Sequence, residues 1–170
     1  IPHDMTAVAK AFGKDVLRQV DPAAFAAPET RGRLARDISP VAVDRTEHFF
    51  AEDARVERMA AALQKGNMPE YIRNMNASGA SSRTLLRNVV PALHPERTEM
   101  ATALDRAAAL LEGKGAWRIH GGGFAGCIQC LVPAAGYEAF RAAMDGYYGE
   151  GACFELRIRG CGAYRLPEEE

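Results

Sequence analysis

A run of ten residues in the last third of the chain carries the pattern with the most chemical content. Residues 118–127 read Arg-Ile-His-Gly-Gly-Gly-Phe-Ala-Gly-Cys. Glycines permit positive φ angles and let backbone N–H groups approach a ligand closely, as in loops that bind anions. The run lacks the Gly-Lys-Ser/Thr end of a Walker loop and precedes a strand pattern, so it is not one. Two interpretations stay open: an anion-binding loop, or a tight connection between neighbouring strands.

Histidines and hydroxyls supply the other candidate groups. His120 directly adjoins the glycine run, whereas His48 falls on the apolar stripe of a long helix, where a packed or hydrogen-bonded role is favoured. The run Asn-Ala-Ser-Gly-Ala-Ser-Ser over residues 76–82 includes Ser78 and Ser81, whose hydroxyls could bind a sugar or a phosphate. Polar turn chemistry at a helix end is the favoured interpretation of that run.

Cys127 and Cys130 have the spacing of a redox or zinc pair, but they fall in a strand-like run. Positions i and i+3 of a strand point to opposite faces, so the two sulfurs cannot share a metal ion. A chain of this length needs no disulfide staples. We therefore expect buried, reduced cysteines, no metal site and a cytoplasmic location.

Composition excludes several classes of protein. The chain has 170 residues with 48% hydrophobic and 25% charged residues, which is typical of one soluble domain. Its formal charge is −1 and no basic stripe is visible, so a nucleic-acid partner is not expected. No apolar run approaches the roughly 20 residues that span a bilayer, so an association with a membrane is not expected either. The chain begins at Ile1 without an initiator methionine, and we expect that it begins inside something larger.

The first two-thirds of the chain show helical periodicity. The predicted elements are a helix capped by Asp4 and ended by Gly13, a turn or loop from Asp21 to Pro28 that allows one short helical turn, a long helix that starts at Ser39-Pro40 and stops at Gly66-Asn67, a helix from Asn67 to about Ser78, and a helix from Pro95 to Gly113. The long helix presents a stripe that includes His48, Val56 and Leu63. Residues 77–95 allow no assignment.

The last third changes to the alternating pattern of strands. The predicted elements are a strand around Trp117 and Ile119, a strand from Cys127 to Val132, a helix from Gly136 to Tyr148 with Tyr137, Phe140, Met144 and Tyr147 inward, and a strand in which Phe154, Leu156 and Ile158 alternate with Glu155, Arg157 and Arg159. This order predicts an α+β fold with a ferredoxin-like, split βαβ sheet whose opening strand would lie before Ile1. The helical part is 1–113 and the strand-rich part 114–170.

Several segments resemble the galactokinases of the GHMP kinase superfamily. Residues 118–127 resemble their third signature, Arg-Met-Thr-Gly-Gly-Gly-Phe-Gly-Gly-Cys. Residues 45–56 are similar to the family helix Arg-Ala-x-His-Val-Val-x-Glu-Asn-x-Arg-Val, and residues 75–81 to Met-Asn-Glu-Ser-His-x-Ser. Gly66 stands where that family has Gly-Asp. These matches occur in the family's order and extend over nearly the whole chain.

The chain also departs from the galactokinase pattern. His120 replaces a threonine, Gly79 a histidine and Ala125 a glycine, and residues 83–89 differ from the expected Arg-Asp-Asp-Tyr-x-Val-Ser. These departures concern the identity of the sugar more than the family.

The resemblance implies the C-terminal domain of an ATP-dependent kinase that phosphorylates the anomeric hydroxyl of galactose or a related hexose. It implies that Gly121, Gly122, Gly123, Phe124 and Gly126 lie beside the nucleotide phosphates, with His120, Ser78 and Ser81 on the sugar side. ATP and Mg²⁺ would serve the complete enzyme, and no tightly bound cofactor is expected here. The catalytic Arg and Asp and the phosphate loop belong to the N-terminal lobe, which is the implied partner.

Two other interpretations stay open. A non-catalytic galactokinase-like sensor of sugar and nucleotide is consistent with Ala125 and with the altered residues 83–89. An independent ferredoxin-like module that binds a small ligand ranks third, because a self-sufficient domain should not begin with an exposed sheet edge.

Overall fold

The computed structural model describes residues 1–158 and 160–162, which form a helix-rich α+β chain with one small sheet. Its elements are α1 (Pro2–Ala11), α2 (Pro22–Ala26), α3 (Pro28–Asp37), α4 (Pro40–Gln64), α5 (Met68–Ser81), α6 (Glu99–Leu111), β1 (Ala116–His120), β2 (Cys127–Leu131) and α7 (Tyr137–Tyr148). Residues 1–133 form one compact unit, and a second, smaller unit begins at residue 134. No helix among the described residues has the length and apolar character needed to cross a lipid bilayer.

Side-chain caps and prolines start α4 and α5 where the sequence predicts. The Ser39 hydroxyl accepts a hydrogen bond from the Ala42 N–H at 3.0 Å, and Pro40 occupies the first turn of α4. The Asn67 side chain accepts from the Glu70 N–H at 3.1 Å and caps α5. These contacts satisfy N–H groups that the first helical turn leaves without partners. The predicted starts of these two helices are confirmed. The starts predicted for α1 and α6 are wrong, since α1 begins at Pro2 with Asp4 inside its first turn, and α6 begins at Glu99, four residues after Pro95.

Two hydrophobic clusters hold the first unit together. One joins α1, α3 and the start of α4, and its buried members are Val8, Ala9, Leu17, Val20, Phe25, Leu34, Ala42 and Val43. The other joins α6 to β1 through Val89, Met100, Leu104 and Ile119. The sheet is therefore anchored by its own cluster, separate from the one under the N-terminal helices.

The predicted inward stripe of α4 is wrong for the second half of the helix. Val56 is 65% exposed and Leu63 is 53% exposed, although His48 on the same stripe is buried. Periodicity identifies a helix face, but it does not give the distance over which neighbouring elements cover that face. The same limit applies in the second unit, where Phe140 and Met144 of α7 are buried but Tyr147 is 55% exposed.

Strands β1 and β2 form an antiparallel hairpin that pairs Ala116 with Leu131 and His120 with Cys127. Both strands are as predicted. Cys127 is exposed and Cys130 is half-buried, which agrees with their placement on opposite faces. The expectation of buried cysteines is nevertheless wrong for Cys127, because it lies on the uncovered face of the sheet.

The third predicted strand is absent from residues 154–158, which form no strand in the structure. Phe154 and Leu156 are each 65% exposed and Ile158 is 97% exposed. Alternating hydrophobicity favours a strand only where a neighbouring backbone supplies hydrogen bonds, and these residues have no such pairing. Arg159, the last residue of that prediction, lies outside the described residues. The described sheet therefore has two strands, and a split βαβ layout is not seen in it.

Helix α5 packs directly against β1, and two of its residues make this approach possible. The Asn76 side chain donates to the Gly115 carbonyl at 3.1 Å and accepts from the Trp117 N–H at 3.0 Å. It thus pairs with the strand edge as a neighbouring strand would. A Cβ atom on Gly79 would lie 2.7 Å from the Trp117 carbonyl oxygen, so glycine is required for this contact.

Replacing Gly79 with alanine should therefore destabilise the first unit. Alanine has the better helix propensity, but its methyl group would push α5 away from β1, at a cost of about 1–3 kcal/mol. Urea-induced unfolding followed by circular dichroism measures the change. The matched control is Gly32→Ala in α3, where the new Cβ meets only an Arg36 side chain at 3.5 Å. This control should stabilise by roughly 0.5–1 kcal/mol; equal effects of the two substitutions would contradict the packing argument.

Candidate functional site

The glycine loop, residues 121–126, connects β1 to β2. Positive φ angles occur at Gly121 (79°), Gly123 (85°), Phe124 (64°) and Gly126 (101°). A non-glycine residue such as Phe124 rarely adopts this conformation, so contacts elsewhere must hold it. The loop joins neighbouring strands, as one of the two interpretations predicts, and it is longer than a simple two-residue hairpin turn. Anion binding stays a prediction.

Asn88 provides the contacts that hold the loop. Its backbone carbonyl accepts a hydrogen bond from the Phe124 N–H at 2.6 Å, and its side-chain Nδ2 donates to the Gly122 carbonyl at 3.2 Å. A Cβ on Gly123 would lie 2.2 Å from the Asn88 carbonyl oxygen, which excludes any side chain there. Asn88 itself is 2% exposed. The loop is therefore docked on a buried asparagine.

A cavity of about 480 Å³ opens beside the loop. Its walls come from α1, α4, the segment after α5 and the loop itself, and its lining residues are Ile1, Pro2, Met5, His48, Phe49, Glu52, Leu86, Asn88, Gly121, Gly122 and Phe124. This volume lies within the usual range for small-molecule sites. Gly121 and Gly122 have open space where a Cβ would project, so a ligand could approach their backbone closely.

His48 forms part of the cavity wall through a hydrogen bond to α5. Its Nδ1 lies 2.8 Å from the Ser81 hydroxyl, and the residue is buried, as the sequence predicts for a hydrogen-bonded histidine. Burial lowers the pKa of His48, opposed by Glu52 and reinforced by the positive charges of Arg55 and Arg118. The structure therefore favours a neutral imidazole here.

Glu52 links three elements one helical turn beyond His48. It accepts a hydrogen bond from the Ser78 hydroxyl at 2.7 Å and pairs with Arg55, and it lies 3.9 Å from Arg118 of β1. Ser78 is fully buried. The two guanidinium groups offset the negative charge of this carboxylate, which lines the cavity, whereas neither arginine is among the lining residues.

The structure separates the predicted site residues into three groups. Gly121, Gly122 and Phe124 line the cavity, and Gly123 packs on Asn88 behind it. Ser78 and Ser81 bond to Glu52 and His48 inside the wall, so their hydroxyls serve the α4–α5 contact. His120 and Gly126 are exposed and are not among the lining residues.

Two wall residues, Glu52 and Asn88, were not singled out from the sequence. Glu52 had a usable signal, because it lies four residues after His48 on the same helix face and within the family-like segment. Asn88 had none, since it follows a π-helical turn (Ser82–Leu86) and the left-handed Arg87 (φ 58°) in the segment that periodicity could not assign. Among the described residues, no three His, Cys, Asp or Glu side chains are close enough together to hold a metal ion.

Replacing Gly123 with alanine should disrupt the loop. The substitution combines a positive φ with a 2.2 Å overlap on backbone, so we expect a loss above the roughly 1–3 kcal/mol of ordinary overpacking. Gly122→Ala is the matched control, since nothing lies within 4 Å of its Cβ position. Thermal unfolding of the two variants measures the difference, and a Gly123→Ala chain as stable as the control would refute the docking on Asn88.

Neutral His48 should make stability depend on pH. Because the folded pKa is lowered, the unfolded chain binds the proton first. The stability from the neutral ring is present above about pH 6.5, the usual histidine pKa, and is lost as the pH falls below that value. Free energies of urea unfolding between pH 7.5 and about 5 should fall more steeply for the wild type than for His48→Gln. The control is His94→Gln, at an exposed histidine, which should keep the wild-type dependence of the unfolding free energy on pH. If His48→Gln shows the same pH dependence as the wild type, the effect is excluded.

Comparison with known proteins places the fold. No family model matches the chain. Among solved structures, the galactokinase of Lactococcus lactis, in a crystal structure complexed with galactose, superposes with a TM-score of 0.64 and 23% sequence identity. The match covers 88% of this chain and 35% of the galactokinase chain. The chain therefore has a galactokinase-like fold, and it spans about a third of that neighbour.

Proposed function

We propose that this chain is the C-terminal part of a galactokinase-like sugar kinase, which transfers the γ-phosphoryl group of ATP to the anomeric hydroxyl of galactose or a related hexose. The observation that carries the proposal is the fold likeness to a galactokinase over 88% of the chain. The glycine run at 118–127, which resembles the third signature of that family, supports it because the structure forms this run into a loop beside a cavity.

The loop has the properties that a phosphate neighbour requires. Gly121 and Gly122 leave open space beside their backbone, and among loop residues 121–126 the one backbone N–H with a partner in the described structure is that of Phe124. Phosphoryl transfer depends mainly on positioning and on stabilisation of charge. Backbone N–H donors of the loop are suited to that task. ATP, bound with Mg²⁺, would supply the phosphoryl group and part of the charge neutralisation.

Two departures from the galactokinase pattern have a local structural account. Ala125 stands where the family has glycine, but its φ is not positive, so alanine is accommodated there without strain. Gly79 stands where the family has histidine, and the close approach of β1 leaves no room for a side chain. Neither departure counts against a kinase.

The test is an assay of ADP release against a panel of hexoses, with the protein from the complete coding sequence and with this chain alone. The family's catalytic Arg and Asp and its phosphate loop are expected in the N-terminal lobe, so only the complete protein should turn over. Turnover by this chain alone would contradict the assignment of catalysis to the other lobe. Sugar binding by the complete protein without turnover would favour the non-catalytic sensor instead.

A further inference from the structure

Two consecutive peptide units of the glycine loop are held in opposite orientations by one residue. The Gly122 carbonyl receives the Asn88 Nδ2 donor, and the Phe124 N–H donates to the Asn88 carbonyl. All peptide bonds described are trans, so the C=O and N–H of each unit point in opposite directions. The Gly122–Gly123 unit therefore directs its N–H away from Asn88, and the Gly123–Phe124 unit directs its carbonyl away.

We infer that Asn88 is a positioning residue whose side chain fixes the orientation of the Gly122–Gly123 peptide and so determines whether the far side of the loop presents a donor or an acceptor. A flip of this unit would exchange the Gly123 N–H for the Gly122 carbonyl on that side. The backbone bond from Phe124 cannot prevent the flip, because it belongs to the next peptide unit. Among the described residues, only the Asn88 side chain forms a hydrogen bond with the Gly122–Gly123 peptide unit.

The surroundings of Asn88 hold it firmly enough for this role. The preceding Arg87 adopts a left-handed conformation and pairs with Asp44 of α4. The Leu86 carbonyl accepts a hydrogen bond from the Arg45 Nε at 3.1 Å, which ties the same segment to α4 a second time. Contacts with α4 thus hold the segment that contains Asn88, and Asn88 in turn holds the glycine loop.

The oxygen of the Asn88 side-chain amide is in an unfavourable environment. Its Oδ1 is buried and has no hydrogen-bond partner among the described residues. An unsatisfied buried acceptor is unfavourable and calls for an explanation. The geometry supplies one, since the amide is turned so that its donor meets the Gly122 carbonyl.

The orientation can be observed directly in this chain by NMR. A Gly–Phe step occurs once in the sequence, at 123–124, so ¹³C′-glycine with ¹⁵N-phenylalanine gives a single cross-peak for the Phe124 amide. Gly–Gly steps occur only at 121–122 and 122–123, so ¹³C′,¹⁵N-glycine labelling reports the Gly122 carbonyl shift.

Asn88→Asp and Asn88→Ala are the informative variants. Aspartate keeps the shape but places a carboxylate against the Gly122 carbonyl, whereas alanine only removes the donor. We expect the Gly122 carbonyl resonance to move in both variants, and further in Asn88→Asp. The Phe124 amide should exchange about five-fold faster in Asn88→Ala, the effect of weakening one hydrogen bond.

The matched control is Asn67→Ala, which removes the α5 cap and destabilises the chain without touching the loop. It should leave the Gly122 carbonyl shift unchanged. If the Asn88→Asp variant does not fold, the Gly122 carbonyl shift of the Asn88→Ala variant is sufficient for the test. An unmoved Gly122 carbonyl in the folded Asn88 variants overturns the inference.

That the oriented Gly122–Gly123 peptide helps to bind a phosphate group of ATP is an inference that rests on the proposed function. In the complete kinase, Asn88→Ala should raise the KM for ATP by a larger factor than it lowers kcat, and Asn67→Ala should change neither. An unchanged KM for ATP would refute this use of the loop. If the complete protein shows no turnover, the proposed function fails while the NMR result still decides the role of Asn88.

Discussion

The close approach of α5 to β1 is the contact on which the rest of the site depends. Gly79 allows the helix to touch the strand backbone, and Asn76 satisfies two polar groups on the strand edge. A strand without this pairing would expose unpaired backbone groups. The glycine loop begins at the end of β1, so its position follows from this contact.

The wall of the cavity depends on the same helix from its other side. Ser78 and Ser81 of α5 bond to Glu52 and His48 of α4, and both partners line the cavity. Buried polar groups are strongly favoured when paired and costly when unpaired, so these bonds fix how the two helices sit on each other. Helix α5 therefore contacts both β1, which leads into the loop, and the part of α4 that lines the cavity.

Electrostatics in this region follow from burial and from the arginines. Burial lowers the pKa of His48, while Glu52 pairs with Arg55 and lies 3.9 Å from Arg118. The structure therefore favours a neutral imidazole at His48, one helical turn from a carboxylate whose charge the two guanidinium groups offset.

The sequence alone determined the starts of α4 and α5, the β1–β2 hairpin, the glycine loop and the hydrogen-bonded character of His48. Caps, prolines, alternation and glycine act over a few residues, so these features can be predicted locally. Only the tertiary structure decided which part of α4 is covered, that residues 154–158 form no strand, and that Asn88 holds the loop. Each of these depends on which distant backbone lies alongside, and periodicity does not carry that information. The clearest case is Asn88, whose role requires a π-helical turn and a left-handed Arg87 that no local pattern predicts.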